Sequence, residues 1–168
     1  MKTTTPEKSA GKRPPAMDAD DALALLSTDH RNVKALFERY EELGDRANVS
    51  KRKLATQICL ELNKHATAEE ELFYPALREA SSDNEDMVDE AVVEHASAKD
   101  LITQIMEMDA EDELFDAKVK VLSEMIDHHI EEEESQLFPK ARHSGLDLVA
   151  IGEAIAARKE EIDTPLPH

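Results

Sequence analysis

The segment HATAEEELFYP, beginning at His65, returns without a gap as HIEEEESQLFP, beginning at His129. The overlay sets His65 on His129, Glu69 on Glu133, Glu70 on Glu134 and Pro75 on Pro139. A histidine and a glutamate four residues apart sit one turn from each other on the same helix face. Chance supplies a single HxxxE in a Glu-rich chain. Two copies inside one ungapped match, each on an apolar stripe, restrict the chain to folds that can bring two such faces together. A helical bundle does this, and can hold a pair of metal ions between the faces. A carboxylate placed in a core also needs a positive partner, because burying it charged and alone is costly. Cations between the helices would serve both glutamates at once.

Composition agrees with helices and limits the partners. The 168 residues fit one domain, Gly is scarce at 4, and with no Trp the core must be mostly aliphatic. A net charge of -18 would repel phosphates, which argues against a nucleic-acid partner. The one cysteine, Cys59, cannot form an internal disulfide, and its simplest role is as a small core residue. No apolar run is long enough to span a membrane, and the N-terminus lacks a signal-peptide core. A soluble, cytoplasmic protein, monomeric or weakly dimeric, is expected.

Residues 1–17 combine Thr, Pro, Gly and scattered basic residues and are expected to form a disordered arm. The domain is expected over 18–161, followed by a flexible tail at 162–168. Within the domain, DADDALALLS predicts a short helix. Ser27, Thr28 or Asp29 then caps a new helix that runs to about Leu43 and stops before Gly44. The second helix starts near Ser50 and carries Leu54, Ile58, Leu62, His65, Glu69 and Leu72 on one stripe. Pro75 should bend or loosen its last turns. A third helix over about 84–108 turns Val88, Ala91, Val92, His95, Ile102 and Ile105 inward. A fourth over about 113–141 does so with Leu114, Val121, Leu122, Met125, His129, Glu133 and Leu137. The segment LDLVAIGEAIAARKEEI makes a shorter terminal helix. The predicted fold is all-α: an up-down-up-down antiparallel four-helix bundle with an extra short C-terminal helix. In that topology the two HxxxE helices run parallel, diagonally across the bundle, so both faces can lie at one depth.

His30 and His95 complete the set, because each of the four helices then contributes an inward imidazole. Asp29, Glu70 and Glu134 adjoin these residues and are expected to support them or face solvent. His128 points about 100° away from His129 on a helix and is set aside as a ligand. Taken together, TDHRNVKALFERY, HATAEEELFYPAL, the pair Glu94–His95 and HIEEEESQLFPKA resemble the hemerythrin-like, or HHE cation-binding, domain. The resemblance covers about residues 18 to 160. It implies a non-haem di-iron centre, with two iron ions joined by an oxo or hydroxo bridge. In that centre His30, His65, His95 and His129 would be terminal ligands, and Glu69 and Glu133 would bridge the metals. Imidazole plus carboxylate suits iron, manganese and zinc alike; only the resemblance selects iron.

Oxygen-carrying members of the family have a fifth histidine one turn from the third-helix ligand. Here the positions one turn either side of His95 are Ala91 and Lys99. Four imidazoles, two bridging carboxylates and one oxygen bridge leave each metal a position that Tyr40, Tyr74, an acid or water could fill. Open positions on redox metals invite peroxide, dioxygen or nitric oxide. The expected function is therefore reaction with small oxygen or nitrogen species in oxidative or nitrosative stress or iron handling, with peroxide disproportionation as one candidate activity. A non-enzymatic oxygen- or iron-binding sensor is the alternative.

Overall fold

The computed structural model describes residues 21–163. The arm expected at 1–17 and residues 164–168 of the expected tail lie outside them. Helix α1, Ala22–Glu41, is capped by the Asp21 side chain, which accepts a hydrogen bond from the Ala24 amide at 2.8 Å. The expected break near Ser27–Asp29 does not occur. The Thr28 hydroxyl instead bonds back to the Ala24 carbonyl within a continuous helix, and Asp29 turns toward the core. A cap such as Asp21 stabilises by about 1 kcal/mol and decides where the helix begins.

The remaining elements are α2 (Asn48–Ala68), α3 (Tyr74–Ala80), α4 (Glu85–Glu107), α5 (Phe115–Glu132), α6 (Phe138–His143) and α7 (Leu148–Asp163). Helix α2 packs against α1 and α4, and α5 against α4 and α1, which makes the up-down-up-down bundle. The terminal helix α7 lies across α1 and α2, with Ile155 buried. The α2 and α5 rods do not end at their prolines. Each passes through a five-residue π-helical turn, Glu69–Phe73 and Glu133–Leu137, and continues as α3 or α6. Proline has no amide hydrogen to donate and its ring crowds the carbonyl four residues back. Widening the turn accommodates both effects. The amide of Tyr74 bonds the carbonyl of Glu69, and that of Phe138 the carbonyl of Glu133.

The inward stripe of α5 is displaced from its expected place. Leu114 and Val121 are exposed, at 58% and 48%, whereas Phe115 and Val119 are buried. Val92 of α4 is likewise at the surface, and Leu72 is only partly covered while its neighbour Phe73 is fully buried. The apolar core divides into two parts. One, around Phe37, Ile58, Ile105 and Phe115, fills the end of the bundle at the α1–α2 and α4–α5 connections. The other, around Leu23, Phe73, Leu77, Val88, Phe138 and Ile155, fills the opposite end. Between them lies a polar layer made of His30, His65, Glu69, His95, His129 and Glu133, all buried.

Candidate metal centre

Helical periodicity puts His30 between Leu26 and Val33 on α1, and His95 between Ala91 and Ala98 on α4, each inside an apolar stripe. The two HxxxE faces of α2 and α5 reach the same layer. The ligand-type atoms form two groups, in each of which every atom lies within 4.8 Å of the others: His30, His65, Glu69 and Glu133, and Glu69, His95, His129 and Glu133. The two groups share both glutamates. His30 Nε2 lies 3.2 Å from Glu133 Oε1, and His65 Nε2 faces Glu69 Oε1. In the second group His129 Nε2 is 3.2 Å from Glu133 Oε2 and 3.1 Å from His95 Nε2.

Several of these atoms make no well-formed hydrogen bond, the close His30–Glu133 and His65–Glu69 pairs included: His30 Nε2, His65 Nε2, both Glu69 oxygens and Glu133 Oε1. An unsatisfied buried polar atom costs roughly 1–3 kcal/mol. Five of them converging on one layer is difficult to reconcile with a merely structural role. Cations fit this donor set, since they would satisfy nitrogen lone pairs and carboxylate oxygens together.

The outer ring nitrogens are held by acids. His65 Nδ1 lies 2.9 Å from Asp29 Oδ2, and His30 Nδ1 lies 3.0 Å from Glu134 Oε1. His95 Nδ1 and His129 Nδ1 face Glu70 and Glu94, each at 3.6 Å. Such contacts orient a ring and raise its basicity. Asp29 is itself engaged by Lys159 of α7, and Lys99 donates to Glu70 at 2.6 and 2.8 Å. Helical periodicity assigns Glu94 no role; the available signal in the sequence is that it precedes His95 as Asp29 precedes His30.

The electrostatics follow from burial and these neighbours. Burial and the charge of Glu133 push the Glu69 carboxyl up. Burial acts the same way on Glu133, but His129 and His30 outweigh it and hold that carboxyl well below its usual range. Burial and both glutamates raise the Tyr74 hydroxyl far above the ordinary phenol value.

Of the two tyrosines considered, Tyr74 belongs to the centre. Its hydroxyl donates to Glu133 Oε2 at 2.8 Å and lies 3.2 Å from His95 Nε2 and 3.5 Å from His129 Nε2. Tyr40 is elsewhere, donating to Asp116 at 2.5 Å beside Lys51. The repeat places Phe138 opposite Tyr74, and its ring stacks on His30 with centroids 5.8 Å apart. On the other side of the imidazoles is a cavity of about 40 Å³, walled by Val33, Leu62, Ala98, Ile102, Ile126 and Ile130.

Comparison with known proteins bears on the fold and the family. A solved structure of a hemerythrin HHE cation-binding domain-containing protein from Mycobacterium kansasii superposes with a TM-score of 0.72, covering 84% of this chain and 86% of that one at 23% identity. At that identity the likeness shows the fold. A protein described as a DNA nickase from Nostoc sp. (strain PCC 7120) is 29% identical over 122 residues. That match takes in 71% of this chain but only 33% of the nickase. The family described as the Hemerythrin HHE cation binding domain matches residues 21–141. The chain belongs to that hemerythrin family.

Proposed function

We propose that the chain is a non-haem di-iron protein whose centre binds or reacts with peroxide, dioxygen or nitric oxide. In this reading His30 and His65 would hold one iron and His95 and His129 the other, with Glu69 and Glu133 available to both. The observation that carries it is the sharing of both glutamates by two His-containing groups, which a single-ion site would not require. Bound iron would supply the redox equivalents and open coordination that small oxygen and nitrogen species need.

The protein's own residues set the conditions. Asp29 and Glu134 fix the rings of His65 and His30. The aliphatic wall beside the imidazoles favours a small uncharged molecule over water. Its cavity exceeds the roughly 10–15 Å³ that one water needs. Tyr74 keeps a proton beside Glu133 Oε2 and covers the second group, while Phe138 offers the first group no polar atom. This inequality favours one second reading: reversible binding or sensing, in which a single metal position takes the ligand. Nickase chemistry forms no part of the proposal, since a net charge of -18 opposes phosphodiester binding.

Metal analysis combined with ultraviolet–visible spectra before and after peroxide, dioxygen and nitric oxide tests the proposal. Two irons per chain and a ligand-dependent spectral change are expected. Well under two irons, or a spectrum indifferent to all three, would overturn it. Sustained peroxide turnover selects the reactive reading, and reversible binding without turnover selects the sensing one.

A further inference from the structure

A third group of ligand-type side chains lies at the surface, where α4 meets α5. Glu94, His128 and Glu132 bring one ligand atom each within 4.8 Å of one another, and His128 Nε2 is 3.2 Å from Glu132 Oε1. The three are partly exposed, with side chains at 29%, 67% and 38% respectively. His128 points away from the centre, but its neighbour Glu94 does not. Glu94 Oε1 faces His129 Nδ1 at 3.6 Å, and that buried nitrogen has no hydrogen-bond partner. A cavity of about 20 Å³ lined by Glu90, Glu94, Glu132, His129 and Glu133 joins the cluster to the second metal group. It is wide enough for one water-sized occupant.

We propose that Glu94, His128 and Glu132 form a weak outer site for a divalent first-row cation, and that ions reach the buried centre from it past Glu94. The route rests on the binuclear reading; the outer site does not. One imidazole and two carboxylates suit such ions, and three ligands open to water let them leave again. The surplus of negative charge draws cations to an acidic cleft. Asp29, the counterpart of Glu94, is already engaged by Lys159, whereas among the described residues Glu94 has no Lys or Arg partner.

Calorimetric titration of the iron-loaded protein with Zn²⁺ reads the outer site directly. His128→Gln should bind one zinc per chain fewer than the parent. Stopped-flow uptake of Fe²⁺ by the metal-free full chain reads the route. Glu132→Gln should slow uptake about two- to threefold, a share of the roughly tenfold or more that a whole cleft of one sign of charge adds to an on-rate, and reach the same final iron content. Both substitutions are at the surface, so circular dichroism should match the parent. Identical zinc isotherms overturn the site, and identical uptake rates overturn the route. A parent chain that takes up no iron sinks the route together with the binuclear reading; the zinc titration then compares the metal-free parent with metal-free His128→Gln, and one zinc fewer in the variant supports the outer site while equal zinc overturns it.

Discussion

In the α1–α2 half of the bundle, the acid before the first histidine, Asp29, sits 2.9 Å from His65 Nδ1 and is engaged by Lys159 of α7. In the α4–α5 half the corresponding acid, Glu94, stands 3.6 Å from His129 Nδ1 and opens onto a surface cluster. Each half offers the centre two imidazoles and one shared carboxylate. They differ in what lies outside. The α1–α2 half is covered by α7, through Ile155 and the Lys159, Arg158 and Lys64 pairs. The inner residues answer to the centre and are duplicated. The outer ones answer to whatever packs over them, and diverge.

The largest effect should come from the shared carboxylates. Glu69→Leu and Glu133→Leu are each expected to abolish binding of both metals, because each glutamate belongs to both groups. The metal-free double variant should lose stability in denaturant unfolding, because it removes the buried partners of His65 and His129 and leaves both rings in the core without them. Loss of one metal in one variant and two in the other would break the equivalence of the halves.

Next in size is the difference between the outer acids. Asp29→Asn should weaken metal retention against a chelator by about 10–100-fold, the usual effect of removing a group that orients a ligand. Glu94→Gln should cost less, because its contact is longer. Equal losses would show that α7 adds nothing to the first half.

These differences mark where the sequence stops being readable. The polar layer was legible because His30, His65, Glu69, His95, His129 and Glu133 all fall on apolar stripes of helical period. The α5 stripe was misplaced because the Asp-rich DAEDE segment does not fix the helix start, and Phe115 rather than Leu114 opens the inward face. The π-helical turns were hidden, since a proline late in a helix is compatible with a bend, an end or a widened turn. Without that widening, Tyr74 would lie roughly 140° around the helix from Glu69. Regular helical spacing therefore does not carry its hydroxyl into the second group; the widened turn does. Asp29 against His65 is a contact between neighbouring helices, which periodicity along one helix does not encode.

Protonation offers a third test, one proton from each half. In the metal-free chain burial disfavours a charged His65, but Glu69 and Asp29 outweigh it and push the ring up to about 10. His129 is pushed up to about 11 in the same way, by Glu133 and Glu94 against burial. Burial and the neighbouring His129 push His95 down to about 3. The two raised groups contribute stability that is complete below about 6.5 and lost as pH rises through about 10 to 11. His95 acts oppositely: stability is lost as pH falls below about 6.5 toward 3, where the unfolded chain gains a proton that the folded ring refuses. Metals need neutral imidazoles, so loading at pH 7 should release about two protons from these rings, and affinity should rise with pH. Calorimetry in buffers of different ionisation enthalpy counts them. Release of one would mean that the halves are not equivalent before metal arrives.

The smallest energetic change, and the sharpest probe of the difference, is Tyr74→Phe. It gives α3 the residue that α6 already carries at Phe138, and so removes one inequality between the halves. The lost hydrogen bond to Glu133 should cost about 0.5–1.5 kcal/mol in thermal or denaturant unfolding. A well-packed phenyl ring keeps the contacts with Phe73 and His95, so the fold should hold. If the hydroxyl contacts the second metal, iron-loaded parent protein should show a visible phenolate-to-iron absorption that the variant lacks, and the variant should bind nitric oxide at two positions instead of one. If the hydroxyl only supports Glu133, the two visible spectra will coincide and the ligand count will not change. In that case the two metal positions were equivalent from the start, and the inequality between Tyr74 and Phe138 concerns packing alone.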